Sequence, residues 1–199
     1  MYGILIYDGV EPIDLGATYG VLSIARRIAP DLEFRGVAKS KGMITCANGM
    51  QVVADHGFNA APDFADLIVT GGPGWVDAAR DSDTLDYLRG CTARLSSICT
   101  GAMILAAAGL LEGKRATTKN EVFDGETPPV DLLPDTITPE HAAIVDDQGI
   151  VTGGGITLGI DTVFYCLARN HGENVAQETA RVMEYSRALD ANKAALGYR

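Results

Sequence analysis

The sequence predicts a three-layer α/β sandwich around a mainly parallel central sheet. Short apolar runs of strand length alternate with longer segments of helical period. The run Leu67-Ile68-Val69-Thr70 has no polar alternation at its core, the pattern of a strand buried on both faces. Glycine-rich turns end several of these runs abruptly.

Each element has its own signal. Tyr2-Gly3-Ile4-Leu5-Ile6-Tyr7 reads as the first strand, stopped by Asp8-Gly9. Helical periodicity from Ile13 to Ile28 (Ile13, Tyr19, Leu22, Ile24, Ala25) closes near the basic pair Arg26-Arg27. Leu32–Ala38 is a second strand, and Met43–Ala54 a hairpin about Ala47-Asn48-Gly49, because Asn-Gly favours tight hairpin turns. Leu67–Thr70 runs into Gly71-Gly72-Pro73-Gly74. A helix near Asp83–Arg89 precedes the strand Leu95–Ile98. The helix from Thr100 to Ala108 ends at Gly109, with Leu110 packing back. Arg115–Thr118 is a short strand, and Glu126–Thr138, with Pro128, Pro129 and Pro134, a loop. Ala142–Val145 and Gly149–Thr152 are strands about a turn at Asp146-Asp147. Gly153-Gly154-Gly155 opens a helix to about Arg169, where Asp161 in the first turns suits the dipole. A final helix covers about Glu173–Ala188. No repeat or linker interrupts the chain, so one domain over residues 1–199 is expected.

Bulk composition narrows the partners. Apolar residues make up 47% and charged residues 21%, ordinary for a globular protein. The formal charge of −10, without a basic stretch, argues against nucleic acid or an anionic membrane and is read as solubility. Four cysteines lack the spacing of a disulfide framework or a zinc site, so no metal is expected. With no signal peptide and no apolar run of membrane-spanning length, a reducing cytoplasm is the expected setting.

The chemistry centres on Cys99. A short strand, one cysteine, then a helix beginning with small residues describes a nucleophile turn, in which the tight bend lifts the side chain out of the sheet. The helix N-terminus behind it is expected to lower the thiol pKa and yield thiolate near neutrality. The competing reading is a buried apolar filler, and it is retained for Cys46, Cys91 and Cys166. Parallel sheets gather ligands at the carboxyl ends of their strands. The loops converging there carry Glu11 and Asp14, Gly71-Gly72, Cys99, and Gly153 to Gly155. Gly71-Gly72 reads equally as a plain turn and as a backbone donor site. Asp14 reads as a helix N-cap or an acid, Thr100 as a helix start or a hydroxyl partner, and Glu11 as a solvated loop acid or part of the site.

Several segments together resemble the DJ-1/PfpI superfamily, whose domain is related to class I glutamine amidotransferases. They are Asp8-Gly9-Val10-Glu11-Pro12-Ile13-Asp14-Leu15, Val69-Thr70-Gly71-Gly72-Pro73-Gly74 and Ser97-Ile98-Cys99-Thr100-Gly101-Ala102. The stretches from Ala108 to Thr118 and from Thr152 to Asp161 extend the match to nearly the whole chain. The resemblance implies a flavodoxin-like fold with a cysteine elbow, and commonly a homodimer. The apolar tail positions Ala188, Leu189, Ala194, Ala195 and Leu196 are available to cover such a partner. Two departures count against peptidase activity. Thr100 follows the cysteine where peptidase-like members carry His, and Lys119 stands where many members carry His. His56, His141 and His171 all lie outside motif positions.

Cys-Thr-Gly with Asp14 is similar to the isonitrile hydratase branch, which adds water to isonitriles to give N-substituted formamides. The resemblance gives Cys99 the nucleophile's role, Asp14 that of acid/base and Thr100 that of hydrogen-bond partner. Gly71 and Gly72 are expected around the substrate or oxyanion, with N–H groups of Gly72 and Thr100 facing developing charge and Glu11 nearby. Asp14, held away from water, is expected to have a raised pKa. No cofactor is implied, and the partner is a small electrophile. The same motifs occur in sensing domains of AraC-type regulators, which carry a helix-turn-helix domain that this chain is expected to lack. The alternatives are a DJ-1-like thiol sensor and glyoxalase-like aldehyde chemistry. Trp75 and Tyr19 are candidate pocket walls.

Overall fold

The computed structural model describes residues 1–199. The first half of the chain runs through β1 (Tyr2–Leu5), α1 (Pro12–Ala25), β2 (Phe34–Ala38), β3 (Gly42–Thr45), β4 (Gln51–Ala54), β5 (His56–Gly57), β6 (Asp66–Val69), α2 (Trp75–Ala78) and α3 (Ser82–Gly90). The second half runs through β7 (Arg94–Ile98), α4 (Gly101–Ala107), β8 (Arg115–Ala116), β9 (Thr138–Pro139), β10 (Ile144–Asp147), β11 (Ile150–Gly153), α5 (Gly159–His171), α6 (Glu173–Val182) and α7 (Ser186–Leu196). Seven strands form one sheet in the order β10-β11-β7-β6-β1-β2-β5. All its pairings are parallel except β10 with β11.

Period-two alternation divides the core. Ile4, Ile68 and Ile98 face the layer of α1, α5 and α6, while Leu5, Leu67, Val69 and Leu95 face that of α3 and α4. The chain leaves β1 toward β2 on one side and returns to β6 on the other, so the strand order switches between β1 and β6. A crevice opens at such a point beyond the strands' carboxyl ends. β7 lies next to β6, so the loops after β1, β6 and β7 meet there.

Several elements depart from the sequence expectation. The hairpin of β3 and β4 is present, with Asn48 left-handed at φ 60°. The β10–β11 turn falls at Gln148-Gly149, both left-handed, rather than at Asp146-Asp147, which pair within the ladder. Gly153–Gly155 does not open a helix. The carbonyls of Gly153 and Gly154 accept the Cys99 N–H at 3.1 and 3.2 Å, and α5 begins only at Gly159.

The expected last helix is two helices. Glu184 is left-handed, and the Tyr185 N–H closes α6 on the Ala180 carbonyl at 2.9 Å. That break lets Tyr185 donate to Asp161 at 2.9 Å, alongside Asn192 at 3.1 Å and Tyr198 at 3.2 Å. Asp161 is therefore a buried anchor for the C-terminal segments rather than only an acid on a dipole. Of the tail positions offered for a partner, Leu189 packs inward on the core, while Ala194, Ala195 and Leu196 are exposed.

Candidate active site

The turn after β7 is the sharpest point of the crevice. Cys99 sits there at φ 53°, a left-handed conformation disfavoured for any residue with a Cβ and held by its neighbours. Its N–H is bonded to the β11 loop, and its carbonyl accepts the Thr118 hydroxyl at 2.7 Å. Gly155 crosses directly over the side chain, since a Cβ there would collide with Cys99 Sγ. Cys99 is thus clamped on a sharp strand-to-helix elbow, buried at the floor of a cavity of about 490 Å³.

Asp14 comes to the thiol from α1. The N-cap of this helix is Glu11, whose carboxylate accepts the Ile13 N–H at 3.5 Å, so the cap is not Asp14. Asp14 lies one turn in, fully buried, and its Oδ2 accepts the Gly71 N–H at 3.1 Å. Burial pushes its carboxyl up to about 7, opposed by the Gly71 N–H and by the Cys99 thiol. The raised acid expected from the sequence is present.

The thiol shifts in the opposite direction from the expectation. Burial, then the charge of Asp14, push Cys99 up to about 12, and the Thr100 N–H at the start of α4 only partly offsets this. Two acids compete for one desolvated space, and burial outweighs the helix terminus.

Thr100 and the glycines form a second brace. The Gly72 N–H donates to Thr100 Oγ1 at 2.9 Å, and the Thr100 hydroxyl approaches the Gly72 carbonyl at 3.3 Å. The N–H groups of Gly71 and Gly72 are therefore engaged by Asp14 and Thr100 rather than left open toward a ligand. Gly71 has no room for a side chain: a Cβ would lie 2.6 Å from Thr100 N and 2.7 Å from Asp14 Oδ2. Glu11, Gly72, Cys99, Thr100 and Trp75 line the cavity, whereas Asp14 and Gly71 stand behind that lining. Tyr19 does not reach it; its ring packs edge-on against Phe34 at 5.3 Å.

Four contributors, Tyr7, Val122, Phe123 and Leu132, escaped the sequence reading, which marked Lys119 only as a departure from a family histidine. Tyr7 donates to the Thr70 carbonyl at 3.0 Å, and burial with the charges of Asp14 and Cys99 holds its hydroxyl well above the usual range. Its place between the first strand and the acidic loop was the available signal. Lys119 lines the cavity, as do Val122, Phe123 and Leu132 from the segment that follows. That segment has no periodicity to mark it. None of His56, His141 and His171 lines the cavity. The cavity lining carries no cluster of metal-ligating side chains.

A sheet with a strand-order switch, an elbow cysteine at its crevice and a buried acid beside the sulfur define a cysteine-elbow α/β domain of the flavodoxin-like type. The family model for the DJ-1/PfpI family matches residues 3–167, and the chain belongs to that family. It is 34% identical to the isonitrile hydratase of Pseudomonas putida over 190 residues, 94% of this chain and 78% of that protein. Among solved structures, a THiJ/PfpI family protein from Pseudomonas syringae superposes at TM-score 0.80 and 28% identity, over 93% of this chain and 74% of that one. DJ-1beta of Drosophila melanogaster superposes at TM-score 0.79 over 93% of this chain and 97% of that one. At 18% identity, that likeness is one of fold.

Proposed function

We propose that this protein is a cysteine-dependent lyase that hydrates an isonitrile to an N-substituted formamide. The observation that carries this reading is the buried pair of Cys99 and Asp14, with the carboxyl held near neutrality. The 34% identity to an isonitrile hydratase along 94% of the chain supports it.

An isonitrile carbon accepts a nucleophile only as a proton is delivered to it. In the proposed reaction the sulfur of Cys99 bonds to that carbon while the thiol proton passes to Asp14, and Asp14 delivers a proton to the same carbon. The product of this step is a thioimidate on Cys99. Water then adds to the thioimidate carbon with Asp14 as base, and the proton taken from water goes to the nitrogen. Collapse of the tetrahedral adduct breaks the carbon–sulfur bond, returns the hydroxyl proton to sulfur and releases the formamide. No free thiolate has to accumulate, because attack by sulfur is coupled to passage of the thiol proton through Asp14 to the isonitrile carbon. Thr100, fixed by Gly72, orients water or substrate, and Gly71 sets the Asp14 carboxyl. Glu11 borders the substrate space. No organic or metal cofactor has a step in this scheme.

The sensor alternative calls for an exposed thiolate of low pKa, which burial of Cys99 disfavours. Aldehyde chemistry of the glyoxalase kind leans on an imidazole that this cavity lining lacks. A single domain, a homodimer and a cytoplasmic setting belong to the same reading; no helix is long and apolar enough to cross a membrane. The test is direct. Wild type and Cys99→Ala are incubated with aliphatic and aromatic isonitriles, and formamide is followed by NMR. Turnover in the wild type alone is the expected result; no formamide from any of them overturns the proposal.

A further inference from the structure

Lys119 is the only cation among the residues lining the Cys99 cavity, which also include Glu11 and Glu126. Its backbone is fixed on both sides. Thr118, the residue before it, donates its hydroxyl to the Cys99 carbonyl at 2.7 Å. The Lys119 carbonyl accepts the Val130 N–H at 3.2 Å, and Asn120 Nδ2 donates to the Thr118 carbonyl at 2.9 Å. The side chain is half-buried and joins none of the chain's ion pairs. An unpaired ammonium thus sits one residue from a direct tether to the nucleophile's backbone.

We propose that Lys119 is a positioning residue that balances the single negative charge shared by Cys99 and Asp14 and so keeps their reactive, one-proton state populated. The inference rests on the assignment of Cys99 and Asp14 as the working pair. A buried pair holding one proton between two acids carries a net negative charge that burial penalises. A cation on the cavity wall offsets that penalty in water-poor surroundings, where Coulomb interactions are least screened. The groups facing the pair from the packed elements are Tyr7 beyond β1, Glu11 at the N-cap of α1, and Lys119 and Glu126 on the segment after β8. Lys119 alone among them favours the charged form of both Asp14 and Cys99.

Alkylation of the thiol reads this role without any isonitrile. Rates of Cys99 modification by iodoacetate, an anion, and iodoacetamide, which is neutral, are measured by peptide mass mapping from pH 5 to 10 at constant ionic strength. The proteins are the full-length wild type, Lys119→Met and Lys119→Arg. Lys119→Met is expected to lower the iodoacetate-to-iodoacetamide rate ratio about tenfold and, because the thiol is pushed up to about 12 and so titrates above this range, to lower the iodoacetamide rate at each pH about tenfold, the effect of a further rise of about one pH unit. Lys119→Arg is expected to keep both near wild type, which also guards against a folding defect in the Met variant. An unchanged ratio and iodoacetamide rate in Lys119→Met, or failure of Arg to restore them, overturns the proposal. The expected ratio change in a protein that hydrates no isonitrile supports the electrostatic role of Lys119 and counts only against the hydratase reading.

Discussion

Replacing Asp14 by Asn should make the protein more stable, by an amount that grows as pH rises from about 4 to 7 and is full above that. Asp14 is fully buried and its carboxyl is raised from 3.8 to about 7. In the unfolded chain it ionises in water near its ordinary value. Below pH 4 the group is mostly protonated in both states and the shift has no consequence. Between pH 4 and 7 the unfolded chain releases the proton while the folded protein retains it, so stability falls as pH rises. Above pH 7 the folded state carries a buried carboxylate, and the full penalty applies. A shift of roughly three units corresponds to about 4 kcal/mol.

Asn keeps the shape of Asp, can still accept the Gly71 N–H, and carries no charge. Urea unfolding of wild type and Asp14→Asn at pH 8.5 and 4.5 measures the difference. The expected gain is up to about 4 kcal/mol at pH 8.5, shrinking to about 1 kcal/mol at pH 4.5. A variant no more stable than wild type at pH 8.5, or a gain of the same size at both pH values, would refute the account of Asp14 as a strained, desolvated acid. The gain would identify this carboxyl as a place where activity is maintained at the expense of stability.

The same Asp14→Asn variant should lose roughly 10²- to 10⁴-fold in formamide formation, while its thiol becomes easier to ionise because the neighbouring charge is gone. Parallel loss of turnover and of alkylation rate would contradict that separation. Gly71→Ala places a Cβ 2.6 Å from Thr100 N and 2.8 Å from Cys99 Cβ, so a loss of about 1–3 kcal/mol in unfolding free energy is expected. Displacement of the pair should also reduce turnover roughly 100-fold, and an Ala variant with wild-type kinetics would be inconsistent with this packing. Thr100→Val leaves the buried Gly72 N–H without its acceptor, which costs about 1–3 kcal/mol in chemical denaturation, whereas Thr100→Ser should recover most of it. Equal stability of the Val and Ser variants would show that the hydroxyl is not the brace described above.

The legible parts of this protein were those written in local pattern. Alternating apolar strands and amphipathic segments announced the layered sheet, and the order of loops placed Cys99, Asp14 and the glycine turn near one another. Local signals failed where a long-range partner decided the conformation. Nothing near Glu184 marks a left-handed break, because its reason is the reach of Tyr185 to Asp161. Nothing in Gly153–Gly155 delays the start of α5, because the carbonyls there are taken by the Cys99 N–H.

By itself the sequence determined the architecture and marked Cys99 at a strand-to-helix turn, since strand period, helix period and turn chemistry are properties of neighbouring residues, whereas Asp14 was singled out as an acid by the family resemblance. Tertiary structure alone decided the direction of the Cys99 shift, the use of the Gly71 and Gly72 N–H groups, and the arrival of Lys119 at the cavity. Those outcomes depend on how much water the packed elements exclude and on which donor meets which acceptor across the fold, and neither is encoded in any short stretch of chain.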